Sequence, residues 1–192
     1  MTSGKTYTLA GPPARTVTGA SPLARGTVVG PPPRPLTQAE QGAVMRLLEE
    51  RRPRPLTVVI GSSRDTVSRE TAKRLDAAWR ERGGTVLDVL DWPEEAASWL
   101  RQARRFTAQA PDAWIVTGRP AGWVQMGRRL TLSTDWDPAR TVATASLAVD
   151  HLIAQGGIGT FDHLCGAHRD GSTWTVFRTL RDDHLSTHSG QA

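Results

Sequence analysis

The stretch from Leu56 to Ala72 constrains the fold more than any other part of this sequence. It opens with a run of apolar residues, continues through a small polar loop at residues 61–64, and ends in an amphipathic segment. A continuous apolar run of this length is typical of a strand that is buried on both faces. Asp65 is a candidate N-cap for the segment that follows. We therefore predict a strand, a tight loop and a helix in immediate succession.

The loop of this unit is a candidate anion site. A strand–loop–helix unit directs backbone N–H groups toward one point beside a helix N-terminus, and that point attracts negative charge. The side chains that could join the N–H groups are those of Ser62, Ser63, Arg64, Thr66 and Ser68. We expect the loop to hold a phosphate, from a cofactor, a nucleotide or a phosphorylated sugar. A capped helix start with a solvent-facing Arg64 explains the same residues, so both interpretations stay open.

The remainder of the chain predicts an α/β fold. From Leu56 onward, strand and helix patterns alternate four times, which favours a parallel sheet covered by helices. We predict a flavodoxin-like, three-layer α/β/α domain with about five mainly parallel strands. Asp91-Trp92-Pro93 predicts the start of the second crossover helix, and residues 121–136 a long connection with a short helix. Asp-Gly at 170–171 predicts a C-terminal hairpin between strands at 160–167 and 172–180.

The two ends of the chain differ in composition from its middle. Residues 1–36 contain seven prolines and four basic residues but no acid, whereas the whole chain has a net charge of +5. We predict a basic, Pro-rich extension over 1–36, the α/β domain over 37–185 and a frayed tail over 186–192. Thr37-Gln-Ala-Glu40 fits a capping box, which predicts a helix added before the first strand. The extension is either solvated or a contact for a protein or nucleic-acid partner.

Several features indicate the cellular setting. Cys165 is the only cysteine, as expected in a reducing compartment. No apolar run is long enough to cross a bilayer, and the first residues lack the apolar segment of a secretory signal. The abundance of Arg, Ala and Gly is typical of a GC-rich bacterial genome. We expect a cytoplasmic bacterial protein without membrane contact.

The loop at residues 61–64 resembles the opening motif of the NADPH-dependent FMN reductase family, whose fold is flavodoxin-like. In that family a strand is followed by Gly-Ser-x-Arg, a serine and a helix, and these groups hold the FMN phosphate. The resemblance implies phosphate contacts for Ser62, Arg64 and Ser68, with Thr66 sharing the role of Ser68. Hydroxyl and guanidinium groups suit this task because both donate to phosphate oxygens.

A second stretch, from Thr117 to Trp136, resembles the part of the same family that holds the flavin ring. The residues at matching distances are Pro120, Leu130, Asp135 and Trp136. Gly118 precedes this proline, and the family's ring-binding Glu-Tyr-Asn is replaced here by Ala121, Gly122 and Trp123. Trp123 would offer a flat surface to the ring, and Ser146, the last residue of the fourth predicted strand at 140–146, would lie nearby.

Two functions follow. The resemblance implies an oxidoreductase that binds FMN and accepts hydride from NAD(P)H, commonly as a homodimer and without a catalytic acid or base. The alternative is a non-catalytic, flavodoxin-like binding or structural subunit whose arm contacts a partner. His163, Cys165 and His168 lack a fourth ligand, so we read them as ordinary strand and turn residues and expect no metal.

Overall fold

The computed structural model describes residues 32–178 and 180–184, apart from the side chains at positions 151 and 153. The predicted frayed tail and most of the predicted extension therefore lie outside the described residues. The helices and strands, in chain order, are α1 (Gln38–Glu49), β1 (Thr57–Ser63), α2 (Thr66–Glu81), β2 (Thr85–Trp92), α3 (Leu100–Thr107), β3 (Ala113–Thr117), α4 (Pro120–Ser133), β4 (Thr141–Ala143), α5 (Asp150–Gly156), β5 (Cys165–Ala167), β6 (Thr173–Phe177) and β7 (Leu180–His184).

The strands form one mixed, mostly parallel sheet of seven strands in the order β2-β1-β3-β4-β5-β6-β7. The first five are parallel, and β6 and β7 are antiparallel to their neighbours. The predicted α/β class is confirmed. The predicted hairpin is the β5–β6 pair, closed by a 2.8 Å bond from His168 N to Ser172 O. The chain continues beyond it into β7, so the edge strand is not the one expected.

Helices cover both faces of this sheet, and each face has its own core. On one face α1 and α2 pack on Val58, Ile60 and their neighbours, and on the other α3, α4 and α5 bury a large aromatic cluster. Val58, Val59 and Ile60 are all completely buried. Because successive residues of a strand point to opposite faces, this run supplies both cores at once, as the apolar pattern of β1 predicted.

The predicted start of the second crossover helix is wrong. β2 continues through Trp92, and α3 begins only at Leu100. The indole of Trp92 is fully buried and packs edge-on against Phe106 at 6.4 Å between ring centroids. Burial of a tryptophan ring outweighs the weak first-turn signal of Pro93.

Two further segments differ from the sequence prediction. The expected long connection at residues 121–136 is a regular 14-residue helix, α4. The fourth strand spans only Thr141–Ala143, and a 3₁₀ turn at Ala145–Leu147 takes the place of its predicted end. No helix in the described part of the chain is long and apolar enough to span a bilayer.

The N-termini of α1, α2 and α4 gather at the carboxyl edge of the sheet, since each helix runs antiparallel to the strands it covers. Thr37 caps α1 by accepting a bond from Glu40 N, as the capping box predicted. The segment before α1 is bound to the body at the same edge. Arg169 donates to the Pro35 carbonyl and Arg74 to the Leu36 carbonyl, both at 2.7 Å.

Candidate functional site

The predicted loop after β1 and the residues after β3 do meet in space. Ser62 and Ser63 end β1 and are almost completely buried, and Ser62 lies in register with Thr117 at the end of β3. The Ser63 hydroxyl accepts a 2.8 Å bond from the backbone N–H of Arg119. The ends of β1 and β3 are therefore neighbours, as the sequence predicted for the two loops that follow them.

Two of the groups expected to hold a phosphate, those of Ser68 and Arg64, are instead bonded to aspartates. Asp65 caps α2 by accepting bonds from the backbone N–H of Ser68 at 2.9 Å and from its hydroxyl at 2.7 Å. Arg64 pairs with Asp91 at 2.8 Å. Thr66 is exposed on the first turn of α2. The carboxylate of Asp65 thus occupies the position that an anionic ligand would take at this helix N-terminus.

The N-terminus of α4 is closed in the same manner. Glu94 accepts a 2.7 Å bond from Gly122 N, while Pro120 forms the first turn. Burial raises the pKa of Glu94, and the hydrogen bonds from Ser63 and Gly122 act in the opposite direction. A phosphate in this corner would face two acidic side chains, Asp65 and Glu94, which repel it.

Trp123 is a core residue and not a platform for a flavin ring. It is completely buried, and its ring lies 5.5–5.7 Å, between centroids, from the rings of Trp92, Trp136 and Phe161. Ala121 and Gly122 belong to the first turns of α4, and Gly122 is buried. The prediction placed these residues in a loop, but the helix turns the indole into the aromatic cluster.

A cavity of about 280 Å³ opens at the carboxyl edge, above β3 and β4 and between α1 and α2. Its lining combines hydroxyl groups, both signs of charge and a few apolar groups. The lining residues are Pro32, Pro33, Arg34, Leu36, Glu40, Thr71, Thr117, Thr144, Ala145, Ser146 and Arg169. The segment before α1 is therefore part of the cavity wall.

Three hydroxyl groups form the floor of this cavity. Thr144 Oγ1 donates to Thr117 Oγ1 at 2.9 Å and lies 3.0 Å from Ser146 Oγ. Ser146 Oγ accepts from the backbone N–H of Gly118 at 3.4 Å. Gly118 has a φ of 150°, and a Cβ there would lie 2.3 Å from Ser63 Oγ, so only glycine fits.

The wall of the cavity also contains a buried carboxylate, that of Glu40. Glu40 is 3% exposed and accepts a 2.8 Å bond from Ala145 N. Burial raises its pKa above the ordinary value, while bonds from the N–H groups of Ala145 and Thr37 and the charge of Arg169 oppose that rise. The cavity is thus lined by one carboxylate, two guanidinium groups and four hydroxyl-bearing side chains.

Among the eleven cofactor-binding residues predicted from the sequence, Ser146 alone lines this cavity. Thr117 and Thr144 were not among the eleven, although Thr117 directly follows the third predicted strand and Thr144 lies in the last part of the fourth, at the edge where ligands bind in open α/β sheets. Glu40 was read only as part of a capping box, and nothing in the local sequence marked Arg169. These last two residues reach the cavity from opposite ends of the chain.

Comparison with known proteins finds the fold among bacterial ligand-binding proteins. No protein-family model matches the chain, and no curated protein matches it. A leucine binding protein, LivK, from Thermotoga maritima MSB8 superposes with a TM-score of 0.55 at 20% identity, over 67% of this chain and 36% of that chain. A putative branched-chain amino acid ABC transporter from Rhodospirillum rubrum gives 0.57 at 14% identity, over 69% and 37%. An extracellular ligand-binding receptor from Rhodopseudomonas palustris HaA2 gives 0.54 at 19% identity, over 65% and 32%.

These likenesses show the fold, and this chain spans about a third of the length of the proteins it matches. They correct the predicted resemblance to FMN reductases, because the neighbours are ligand-binding proteins. The predicted oxidoreductase function, with FMN and NAD(P)H, is wrong for the same reason. The expected cytoplasmic location is also corrected, since a neighbour with this fold is described as extracellular. The homodimer and the contact of residues 1–36 with a partner stay predictions.

Proposed function

We propose that this domain binds a small zwitterionic molecule, an amino acid, in the cavity at the carboxyl edge of the sheet. The observation that carries the proposal is that Glu40 and Arg169 line the same cavity, together with a floor of hydroxyl groups. An amino acid presents an ammonium and a carboxylate a few ångströms apart. Glu40 would accept from the ammonium, and Arg169 with Thr144 and Ser146 would donate to the carboxylate.

The position of the cavity supports binding. In the observed strand order β2-β1-β3-β4-β5, the crossover helices change faces between β1 and β3. Open α/β sheets bind ligands beside such a switch point, outside the carboxyl ends of the strands. Thr117 at the end of β3 and Thr71 on α2 line the cavity from the two sides of that switch.

The size of the cavity supports a ligand as small as an amino acid. Sites for small molecules enclose roughly 300–1,000 Å³. A cavity of about 280 Å³ lies just below that range, which favours a ligand smaller than most. Leu36, Pro32 and Pro33 supply the apolar part of the wall, which suits an aliphatic side chain. The names of the similar structures, a leucine binding protein and a branched-chain amino acid transporter, suggest leucine as the first ligand to test.

The test is thermal unfolding of the full chain with increasing L-leucine, L-isoleucine, L-valine and, as comparisons, charged amino acids. A ligand at one hundred times its Kd stabilises the folded state by about 2.7 kcal/mol. For a chain of this size, that raises Tm by roughly 5–11 °C. Saturable shifts for at least one amino acid would support the proposal, and no shift for any of them would contradict it.

A pair of matched variants links the shift to the cavity. Thr144→Val removes the central hydroxyl but keeps the side-chain shape, and it should weaken binding about tenfold through the loss of one hydrogen bond. Thr131→Val is the control, because Thr131 is exposed on α4 and its hydroxyl donates only to Gly127 O. Equal Kd values for both variants would show that the ligand binds elsewhere.

A further inference from the structure

The helices α3 and α4 pack side by side and carry positive charge only. They contain five arginines, and no Asp or Glu occurs in either helix. We call this surface the α3–α4 arginine face; it consists of Arg101, Arg104, Arg105, Arg128 and Arg129. Four of these side chains are exposed, and Arg129 is half-buried.

Ion pairing within the domain leaves most of this charge unneutralised. Arg105 binds Asp88 through two bonds of 2.6 and 2.7 Å. Within the described residues, no hydrogen bond or ion pair joins the other four guanidinium groups to the rest of the domain. Two exposed arginines beside or on other elements do have such partners. Arg64 pairs with Asp91, and Arg80 with Asp76.

Helix stability does not account for the pattern. A cation in the last turn of a helix is favourable beside the negative end of the helix dipole, which explains Arg104 and Arg105. Arg101 lies in the first turn of α3, where the same dipole disfavours a cation. Two packed helices that carry five arginines, one of them at an unfavourable helix position, favour an external anionic partner.

We propose that the α3–α4 arginine face binds the phosphate backbone of double-stranded nucleic acid. The charged groups of this face are all N–H donors, and phosphodiester groups offer only acceptors. The axes of packed helices lie about 8–10 Å apart, and the grooves of a DNA duplex are about 6–12 Å wide. Arginines on two neighbouring helices can therefore contact the two strands that border one groove. A single acidic peptide would contact the arginines of only one helix.

The site is separate from the ligand cavity. Arg104 and Arg105 end α3, and Arg128 and Arg129 lie in the second half of α4. Arg101 lies in the first turn of α3, but α3 and α4 cover the face of the sheet opposite to α1 and α2, between which the cavity opens. Nucleic acid on this face would leave the cavity open.

The test is fluorescence anisotropy of a labelled 20-base-pair DNA duplex with the full chain at several salt concentrations. If Arg101, Arg104 and Arg128 each contact one phosphate, the logarithm of the binding constant should fall with that of the salt concentration with a slope of about −2.7. That slope corresponds to a loss of roughly 40-fold between 50 and 200 mM salt. Absence of binding at 50 mM salt would overturn the proposal.

Two triple variants with the same change in net charge separate this face from general attraction. Arg101→Glu, Arg104→Glu and Arg128→Glu together should weaken duplex binding at least tenfold. The control combines Arg52→Glu, Arg69→Glu and Lys73→Glu, which are exposed on other elements, and should stay within about twofold of the wild type. Thermal unfolding of both variants confirms that they are folded.

Three outcomes would contradict the assignment. Equal weakening by both triple variants would mean that net charge, or the basic residues at 1–36, governs binding. Tighter binding to poly-L-glutamate than to the duplex would assign the face to an acidic protein. Tighter binding to phosphatidylserine vesicles would assign the face, together with Leu132, which is 79% exposed on α4, to a membrane surface.

Discussion

Replacement of Glu40 by glutamine should change how the free energy of unfolding depends on pH. The carboxylate is 3% exposed and receives a 2.8 Å bond from Ala145 N. The amide oxygen of glutamine can accept the same bond, so Glu40→Gln removes the charge and little else. Glu81→Gln is the matched control, because Glu81 is exposed on α2.

The pH dependence of stability follows from the direction of the pKa shift. Burial raises the pKa of Glu40 above its ordinary value of 4.5, against the N–H bonds of Ala145 and Thr37 and the charge of Arg169. Between the unfolded and folded pKa values, the folded chain binds more protons than the unfolded chain, so its stability falls as pH rises through that window. For one proton, the fall cannot exceed about 1.4 kcal/mol per pH unit.

The measurement is urea unfolding of the wild type and both variants from pH 4 to pH 8. The free energy of unfolding of the wild type, minus that of Glu40→Gln, should decrease as pH rises above about 4.5 and then level off. The free energy of unfolding of the wild type, minus that of the control Glu81→Gln, should show no comparable trend with pH. A difference that increases with pH would mean that the fold favours the carboxylate, and the reasoning about burial would be refuted.

The same variant affects binding. A hydrogen bond to a charged group contributes about 1.5–3 kcal/mol. Loss of the negative charge should therefore weaken the affinity for an amino acid about 10- to 100-fold. In the wild type, affinity should fall as the pH is lowered and Glu40 takes up a proton.

Three further predictions test the fold around the site. Gly118→Ala should destabilise the domain by about 1–3 kcal/mol in urea unfolding, because its φ of 150° is strained for alanine and a Cβ would clash with Ser63; an unchanged midpoint would refute the close contact. Trp123→Ala should cost about 3–5 kcal/mol, since it empties the centre of the aromatic cluster, and a Tm near that of the wild type would contradict the core position. Protein mixed with FMN and passed over a desalting column should retain no flavin absorbance, and retained colour would contradict the closed corner formed by Asp65 and Glu94.

The strands and helices with strong local signals could be predicted from the sequence. β1 carries a continuous apolar run, and α1 begins at a capping threonine; both lie where the pattern indicated. Trp92 and Trp123 could not be placed in this way. Their positions follow from the tertiary packing of a large aromatic cluster, which overrides the first-turn signal of Pro93 and the loop that the family resemblance implied around Trp123.

The loop after β1 shows why a local motif misled the functional interpretation. Ser62, Arg64 and Ser68 have the right chemistry for a phosphate, and the strand–loop–helix geometry was correct. Whether such a corner is open depends on distant residues, and here Asp91 and Glu94 close it from another part of the chain. The cavity shows the converse, because Glu40 and Arg169 become neighbours only in the folded domain.

The central claim is that the cavity between α1 and α2 is the ligand site. The most direct test is an NMR titration of ¹⁵N-labelled full chain with L-leucine, followed by the other amino acids. We expect saturable chemical-shift changes centred on Thr117, Thr144, Ala145 and the N-terminus of α1. Shifts centred on Ser62–Ser68, or no shifts with any amino acid, would contradict it.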